Sequence, residues 1–386
     1  MQHPGTLIIR SRQQRSILEL FFDSLWSTIN KGTKIILVDD GAEYSLRNFA
    51  ADSRTIAPAN CEVLLIEHQT PQGSASCLNE ALAHVEGDIV YIVDTDILLL
   101  KGWQNDLKRT LDASETHGAI GAALIYPQTG GIQHCGIAFS KDVGRHLFLN
   151  ARPEWIPSRS FKVQAVVFAL CAIKRQAIEA VGPLDENYYN AYEDLDYFLR
   201  IQRAGYNVLV DPSVKAYHWE LSDGPHRSIN RKRNLGRFWR QWGDYIESDI
   251  WLFIQAALKD ALVNGANGGV HELRVVDLCE ERPEATTFTK TLQLLDSVRI
   301  VDHHDLSYRI GDRQEIWLPQ ILGIDGYRQP DRYLFLVDNF VRLLGNRYWI
   351  ELRATHRDDD LVADLHGTVI KLKELFEPAW PGTKIR

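Results

Sequence analysis

The hydrophobic positions of this chain change period several times, and each change marks an element. Residues 6–9, 34–40, 62–68 and 88–96 are short, nearly unbroken apolar runs closed by polar residues, the pattern of strands buried on both faces. Between the first two, Ile17, Phe21 and Leu25 recur at i, i+4 and i+8 beside Leu18, Phe22 and Ile29, and Gly32 stops the helix this predicts. Leu78, Ala81, Leu82 and Val85 share a helical face within residues 73–86, ended by Gly87. Further along, the pattern predicts a helix over 101–114, a strand over 119–126, a hairpin or turn-rich crossover at 130–136, an apolar run at 161–173 and a turn at Gly182-Pro183. A well-marked helix follows at 192–205, with acids crowding its first turn, Arg200 and Arg203 in its last and Gly205 as its cap. Strands at 207–210 and 214–219 are separated by an expected turn at Asp211-Pro212.

Past about Trp251 the pattern restarts: a helix to Val263, a Gly/Asn-rich linker at 264–269, strand-like runs at 273–278, 298–301 and 333–337, and a final helix over 362–376. Strands alternating with helices argue for right-handed βαβ units around a mostly parallel sheet. The chain is therefore expected to be α/β throughout, with residues 1–250 as one domain and 251–386 as a second, smaller one.

Composition narrows the class without naming it. The hydrophobic share of 45% and charged share of 24% are those of a globular protein, and the net charge of -8 gives no general attraction to nucleic acid or anionic lipid. No run of about 18 apolar residues predicts a transmembrane segment, and residues 1–5 do not read as a signal peptide. The five cysteines are scattered and never form a C-x-x-C pair, as expected of reduced thiols in a cytoplasmic enzyme.

Candidate chemistry collects where such a sheet binds ligands, beyond the carboxyl ends of its strands, where Ser11, Asp40, His68 and the Asp94/Asp96 pair stand. In an extended backbone the side chains of Asp94 and Asp96 point the same way, and two hard oxygen ligands leaving one strand suit a divalent cation. The same spacing is also what a polar strand exit would show. Glu193 and Asp194 open a helix at its positive end, where a carboxylate is expected to stay ionised at neutral pH and accept a proton, or simply to complement the helix dipole. The segment from Gly224 to Tyr245 mixes Arg231, Lys232, Arg233, Arg237 and Arg240 with Phe238, Trp239 and Trp242, consistent with a solvated helix or with a loop closing on a diphosphate. His303-His304-Asp305 has residue types that bind metal, but a polar strand end is the preferred reading.

Several of these stretches, taken in order, resemble glycosyltransferase family 2 with its GT-A fold. The resemblance rests on Leu7-Ile8-Ile9, Ile36-Leu37-Val38-Asp39-Asp40-Gly41, the helix start from Gly73 to Asn79, Val93-Asp94-Thr95-Asp96, Tyr192-Glu193-Asp194, and the run from Arg203-Ala204-Gly205-Tyr206 to Tyr217-His218. It implies an inverting transferase using a UDP-, GDP- or dTDP-sugar with Mn2+ or Mg2+. Ser11, Arg12, Asp40, Gly73, Asp94 and Thr95 would border the nucleotide sugar, with Asp40 on the base. Asp96 and His218 would hold the metal, Asp194 would be the general base, and Glu193 and Trp219 would face a glycan or glycoconjugate acceptor. Arg10-Ser11-Arg12-Gln13 replaces the family's Pro-Thr-Tyr-Asn, and Leu78 replaces a basic residue, which throws phosphate contact onto residues 231–240. The processive Gln-x-x-Arg-Trp motif is absent, so transfer of a single sugar is expected. A sugar-phosphate nucleotidyltransferase and a non-catalytic nucleotide-sugar-binding module are the competing readings, and homodimerisation through the second domain is a further expectation.

Overall fold

A computed structural model of the chain describes residues 5–11, 15–41, 46–47, 61–140, 143–220, 225–263, 272–277, 299–302, 309–310, 313–314, 332–340 and 359–376. Arg12, the expected linker at 264–269 and His303-His304-Asp305 lie outside these residues. The chain divides into two compact units, one formed by Met1–His146 with Pro157–Ile246 and the other by Leu147–Ile156 with Glu247–Arg386.

The first unit is built on a large sheet. Its strands are β1 (Thr6–Ser11), β2 (Lys34–Asp40), β3 (Glu62–His68), β4 (Ile89–Asp94), β5 (Ile97–Leu99), β6 (His117–Ile125), β7 (Ile132–His134), β10 (Phe161–Lys162), β11 (Leu170–Lys174) and β12 (Asn207–His218), while β8 (Ile137–Ser140) and β9 (Val143–His146) form a separate hairpin. The order is β10-β12-β6-β11-β4-β1-β2-β3, with β5 beside β12 and β7 beside β6. β1 pairs in parallel with both β2 and β4, and β2 in parallel with β3. β11 runs antiparallel between β4 and β6. The chain steps outward from β1 to β3 and then returns to the other side of β1 as β4. That reversal opens the crevice where open α/β sheets bind ligands, between the ends of β1 and β4.

The helices are α1 (Arg15–Thr28), α2 (Ser74–Leu82), α3 (Trp103–Asp112), α4 (Arg175–Val181), α5 (Glu193–Arg203), α6 (Pro225–Trp242) and, in the second unit, α7 (Ile250–Val263). The periodic positions of α1 do what their spacing requires: Leu18, Phe21, Phe22 and Leu25 are buried in one cluster with Leu7, Ile9, Ile35, Leu37, Tyr91 and Val93 from the strands. Burying such side chains stabilises by roughly 1.5–3 kcal/mol each, which makes this face a rigid floor under the strand ends.

Two expectations fail for identifiable reasons. β12 is one strand where the Asp211-Pro212 pair predicted a break. The register against β6 shifts between Asp211 and Lys215, so the proline falls in a bulge, and Asp211 accepts hydrogen bonds from the Ser213 N–H (3.0 Å), the Ser213 hydroxyl (2.6 Å) and the Thr110 hydroxyl (2.7 Å). The expected helix at 362–376 is instead a hairpin, β18 (Leu361–Asp364) with β19 (Val369–Lys371), followed by a 3-10 turn at Leu372–Phe376. Asp364 accepts the N–H groups of His366 and Thr368, both at 3.1 Å, and Gly367 sits at φ +85, so local turn chemistry overrides a helical apolar spacing.

The second unit carries a sheet in which β14 (Arg299–Asp302), β13 (Glu272–Asp277), β17 (Arg332–Val337) and β18 are parallel and β19 closes it antiparallel; β15 (Arg309–Ile310) and β16 (Arg313–Gln314) form a small pair. Residues 147–156 belong to it because the Phe148 N–H bonds the His366 carbonyl at 2.7 Å and Trp155 packs edge-on to Phe340.

Candidate active site

The Asp94-Thr95-Asp96 exit of β4 is held from both sides. Thr95 donates from its hydroxyl to Ser11 at 3.0 Å, and the Asp94 N–H bonds the Ala169 carbonyl at 3.0 Å. β5 continues the chain antiparallel to the end of β12, with His218 opposite Ile97, and the Trp219 N–H bonds the Asp96 carbonyl at 3.1 Å. This pairing, invisible in sequence spacing, sets His218 Nε2 at 3.2 Å from Asp96 Oδ1. One ligand atom each from Asp94, Asp96 and His218 lies within 4.8 Å of the other two. An octahedral cation with ~2.1 Å bonds has cis ligands about 3 Å apart, so the imidazole–carboxylate pair fits one edge of its coordination shell. Burial pulls the His218 pKa down, but the hydrogen bond and charge of Asp96, with Asp94 and Glu220, outweigh it and hold it above the usual histidine value.

Across from this group, α5 begins with the acids. Ala191 and Tyr192 both take left-handed backbone, φ 74 and 71, to turn the chain into the helix. Asn234 of α6, fully buried, donates from Nδ2 to the carbonyls of Asn190 and Ala191, each at 2.9 Å, and so fixes that turn. Glu193 is buried against the Ser74 hydroxyl, and burial raises its pKa against the lowering influence of Ser74 and Arg10. Asp194 is half-buried, and its pKa is pushed up to about 8 by burial and the charge of Glu193, with Asp94 adding to the rise, so the carboxylate expected to stay ionised at the helix's positive end is instead held protonated at neutral pH by its surroundings. Its Oδ1 accepts the Leu195 N–H at 2.9 Å. Asp94 is thus common to the candidate cation ligands and to the electrostatics of both acids.

The other expected positions behave differently. Gly73 caps α2 at φ 93, and a Cβ there would lie 2.5 Å from the Tyr189 carbonyl oxygen; the next N–H, of Ser74, bonds that same oxygen at 2.8 Å. Asp40 is fully buried, with its carboxylate accepting the N–H groups of Gln72 (2.6 Å) and Gly73 (3.3 Å) and pairing with Arg10 at 3.7 Å. It anchors the loop that delivers Gly73 to the site. His68 and Cys77 lie beside it, His68 Nδ1 being 3.4 Å from Asp40 Oδ1 and 3.7 Å from Cys77 Sγ. Trp219, with Ile17, Leu20, Phe21, Thr95, Asp96 and Ile97, lines a cavity of about 110 Å³ beside the candidate cation ligands.

Residues 231–240 were expected to contact phosphate, but two of their arginines serve the acid-bearing loop. Arg237 pairs with Asp185 at 3.7 Å and lies over the Tyr188 ring, and Arg233 donates to the Asn187 carbonyl at 3.4 Å. Arg231, Lys232 and Arg240 are exposed. Three supports were missed from sequence: Asn234, Asn79, which bonds Leu184 through both its amide atoms, and Asp196, which accepts from Trp242 Nε1 and Gln241 Nε2, each at 2.8 Å. Asn79 and Trp242 stood in segments singled out by pattern, but their partners could be found only in the folded chain.

A doubly wound α/β sheet with acids and a histidine at its reversal point is the arrangement of the GT-A fold. The structure of GalNAc-T7 with UDP, GalNAc and Mn2+ shares this fold, at TM-score 0.50 and 15% identity over 68% of this chain and 52% of that one. Residues 6–182 match the model of glycosyl transferase family 2. The chain is 28% identical over 247 residues to the uncharacterized protein y4gI of Sinorhizobium fredii, and 25% identical over 215 residues to the pre-mycofactocin glycosyltransferase of Mycobacterium tuberculosis. It spans 26% and 42% of the length of these relatives, matching over 61% and 55% of its own. Among the described residues no helix is long and apolar enough to cross a membrane.

Proposed function

We propose that this chain is a metal-dependent, inverting glycosyltransferase that moves one sugar from a nucleotide-sugar donor to a hydroxyl of a glycan or glycoconjugate acceptor. The observation that carries this reading is the placing of a cation-type ligand set, Asp94, Asp96 and His218, within electrostatic reach of Asp194. Mn2+ or Mg2+ held by Asp96 and His218, with Asp94 beside them, would neutralise the diphosphate as it leaves. Ser11, Thr95 and the loop at Gly73 border the donor, and Glu193 and Trp219 flank the acceptor. In the reaction Asp194 takes the proton of the acceptor hydroxyl, whose oxygen forms a bond to the anomeric carbon. The bond from that carbon to the diphosphate oxygen breaks on the opposite face, and the nucleoside diphosphate departs with the electron pair. A base whose pKa is raised toward neutrality suits this task, because proton transfer is efficient when the pKa lies near the working pH.

These roles all fall within residues 1–250, which we assign as the catalytic part, leaving 251–386 as an accessory part. The family match favours sugar transfer over nucleotidyl transfer, and the raised pKa of Asp194 favours turnover over binding alone. The test is a panel of UDP-, GDP- and dTDP-sugars, each with and without Mn2+, read by thermal stabilisation and by release of nucleoside diphosphate. A cognate donor raises the melting temperature only with the cation. Stabilisation and release that ignore Mn2+ across the whole panel would remove the metal-dependent reading.

A further inference from the structure

We infer that Gln133 is a positioning residue of the cation site, fixing the tautomer and orientation of His218 through a relay that ends at Glu220. This rests on the reading of Asp96 and His218 as ligands. Gln133 is 4% exposed on β7, and its Oε1 lies 2.6 Å from His218 Nδ1 while its Nε2 lies 3.0 Å from Glu220 Oε2. The direction of the relay follows by elimination. A carboxylate only accepts, so the amide NH2 of Gln133 faces Glu220. The amide carbonyl therefore faces His218, and a carbonyl also only accepts, so Nδ1 carries the hydrogen. Nε2, 3.2 Å from Asp96 Oδ1, is then the nitrogen whose hydrogen a bound cation would replace, leaving its lone pair for the metal. The other neutral tautomer would set two acceptors, Nδ1 and Oε1, against each other. A ligating histidine whose second nitrogen is anchored in this way is oriented and made more basic, and loss of such an anchor weakens metal affinity by about 10–100-fold.

The anchor is itself held. β7 pairs with β6 through Leu124↔His134 and Ile125↔Ile132. His134, next to Gln133 and so on the other face of the strand, is buried. Its Nε2 accepts the Gly136 N–H at 3.2 Å and its Nδ1 meets His146 Nδ1 at 3.0 Å. Rotation of β7 would break both. At the far end Glu220 takes φ 52, a left-handed conformation unusual for a glutamate, two residues after the histidine it supports through Gln133. Backbone strain of this kind persists where surrounding contacts over-determine it.

The experiment uses the full chain, with Mn2+ alone as the probe for affinity and Mg2+ for nitrogen-15 NMR of the His218 ring. In Mg2+-loaded wild type, His218 should be protonated at Nδ1. Gln133→Leu should weaken Mn2+ binding about 10–100-fold and leave a mixture of His218 tautomers. The double variant Gln133→Glu with Glu220→Gln reverses the amide and the carboxylate but keeps an acceptor for Nδ1–H, and it should return Mn2+ affinity to within about threefold of wild type. A wild-type His218 found bare at Nδ1 overturns the inference whether or not any variant folds, and so does a folded Gln133→Leu with unchanged Mn2+ affinity. Asp96→Asn separates the two levels: if it loses Mn2+ while Gln133→Leu does not, only the relay fails, whereas Mn2+ bound equally by Asp96→Asn refutes the cation site beneath it.

Discussion

Replacing Asp194 by Asn should slow transfer by orders of magnitude and, at neutral pH, make the protein more stable. In the folded chain burial and the neighbouring charge of Glu193 raise this carboxyl from its ordinary 3.8 to about 8. A carboxyl whose folded pKa is raised opposes folding wherever the unfolded chain ionises it. The cost is absent below about pH 4, grows as pH rises toward 8, and is constant above that. At roughly 1.4 kcal/mol per unit the shift corresponds to ~4 kcal/mol at pH 7, and we halve this to ~2 because the carboxylate keeps access to solvent and shares its repulsion with Glu193. Asn removes the charge, and its carbonyl can still accept the Leu195 N–H. For a unit of this size ~2 kcal/mol raises the melting temperature by about 4–8 °C. The assay is thermal unfolding of wild type and variant from pH 4 to pH 8.5, beside turnover with the cognate donor, which should fall about 10²–10⁴-fold. The stability gap should open with rising pH. A gap that is zero at pH 8, or equal at pH 4 and pH 8, refutes the raised pKa; full turnover in the variant refutes the base.

Other perturbations test the supports. Wild type should show a Mn2+-dependent stabilisation by UDP, GDP or dTDP, worth about 2.7 kcal/mol at a hundredfold excess over Kd, and Asp96→Asn should lose it, as read by calorimetry and melting. Gly73→Ala forces a Cβ to 2.5 Å from the Tyr189 oxygen at φ +93 and should cost about 1–3 kcal/mol in denaturant titrations and weaken donor binding. Asn234→Ala leaves the carbonyls of Asn190 and Ala191 without their amide donor; it should cost roughly 2 kcal/mol and lower kcat at least tenfold while Mn2+ affinity stays within twofold. Equal losses of metal affinity and kcat in that variant would show that α6 supports the whole site rather than the turn before α5.

What was legible in the chain is what depends on neighbours in sequence. β1, β2 and β4 are buried, and unbroken apolar runs ending in polar residues announce that; β3 carries the same run but is the edge strand and stays partly exposed, so there the run does not mark burial on both faces. α5 was legible because its acids, its arginines and Gly205 are local signals. Failure came where local turn chemistry competed with period: Asp364 and Gly367 make a hairpin of a stretch whose leucines sit at helical spacing, and a bulge carries Pro212 through β12 without ending it. Amides were the least legible part of the site. Asn79, Gln133 and Asn234 look like surface polar residues in a linear reading, yet each spans two backbone or side-chain partners at least 43 positions away.

The distribution of charge explains why these amides do the holding. Asp94, Asp96, Glu193 and Asp194 meet at one edge of the sheet, and in the described chain Arg10 and His218 offset them: Arg10 is felt by Glu193 and pairs with Asp40, and His218 pairs with Asp96. More cationic side chains at that edge would cancel the repulsion and remove the negative potential that draws a divalent cation. Neutral donors avoid this, because an amide fixes a carbonyl or a ring nitrogen without altering the net charge. The site can therefore be rigid and still under-neutralised. Burial first, and that excess second, raise the pKa of Asp194, so the conditions that oppose folding are also those that would favour a cation at this edge and hold a carboxyl near neutrality for proton transfer.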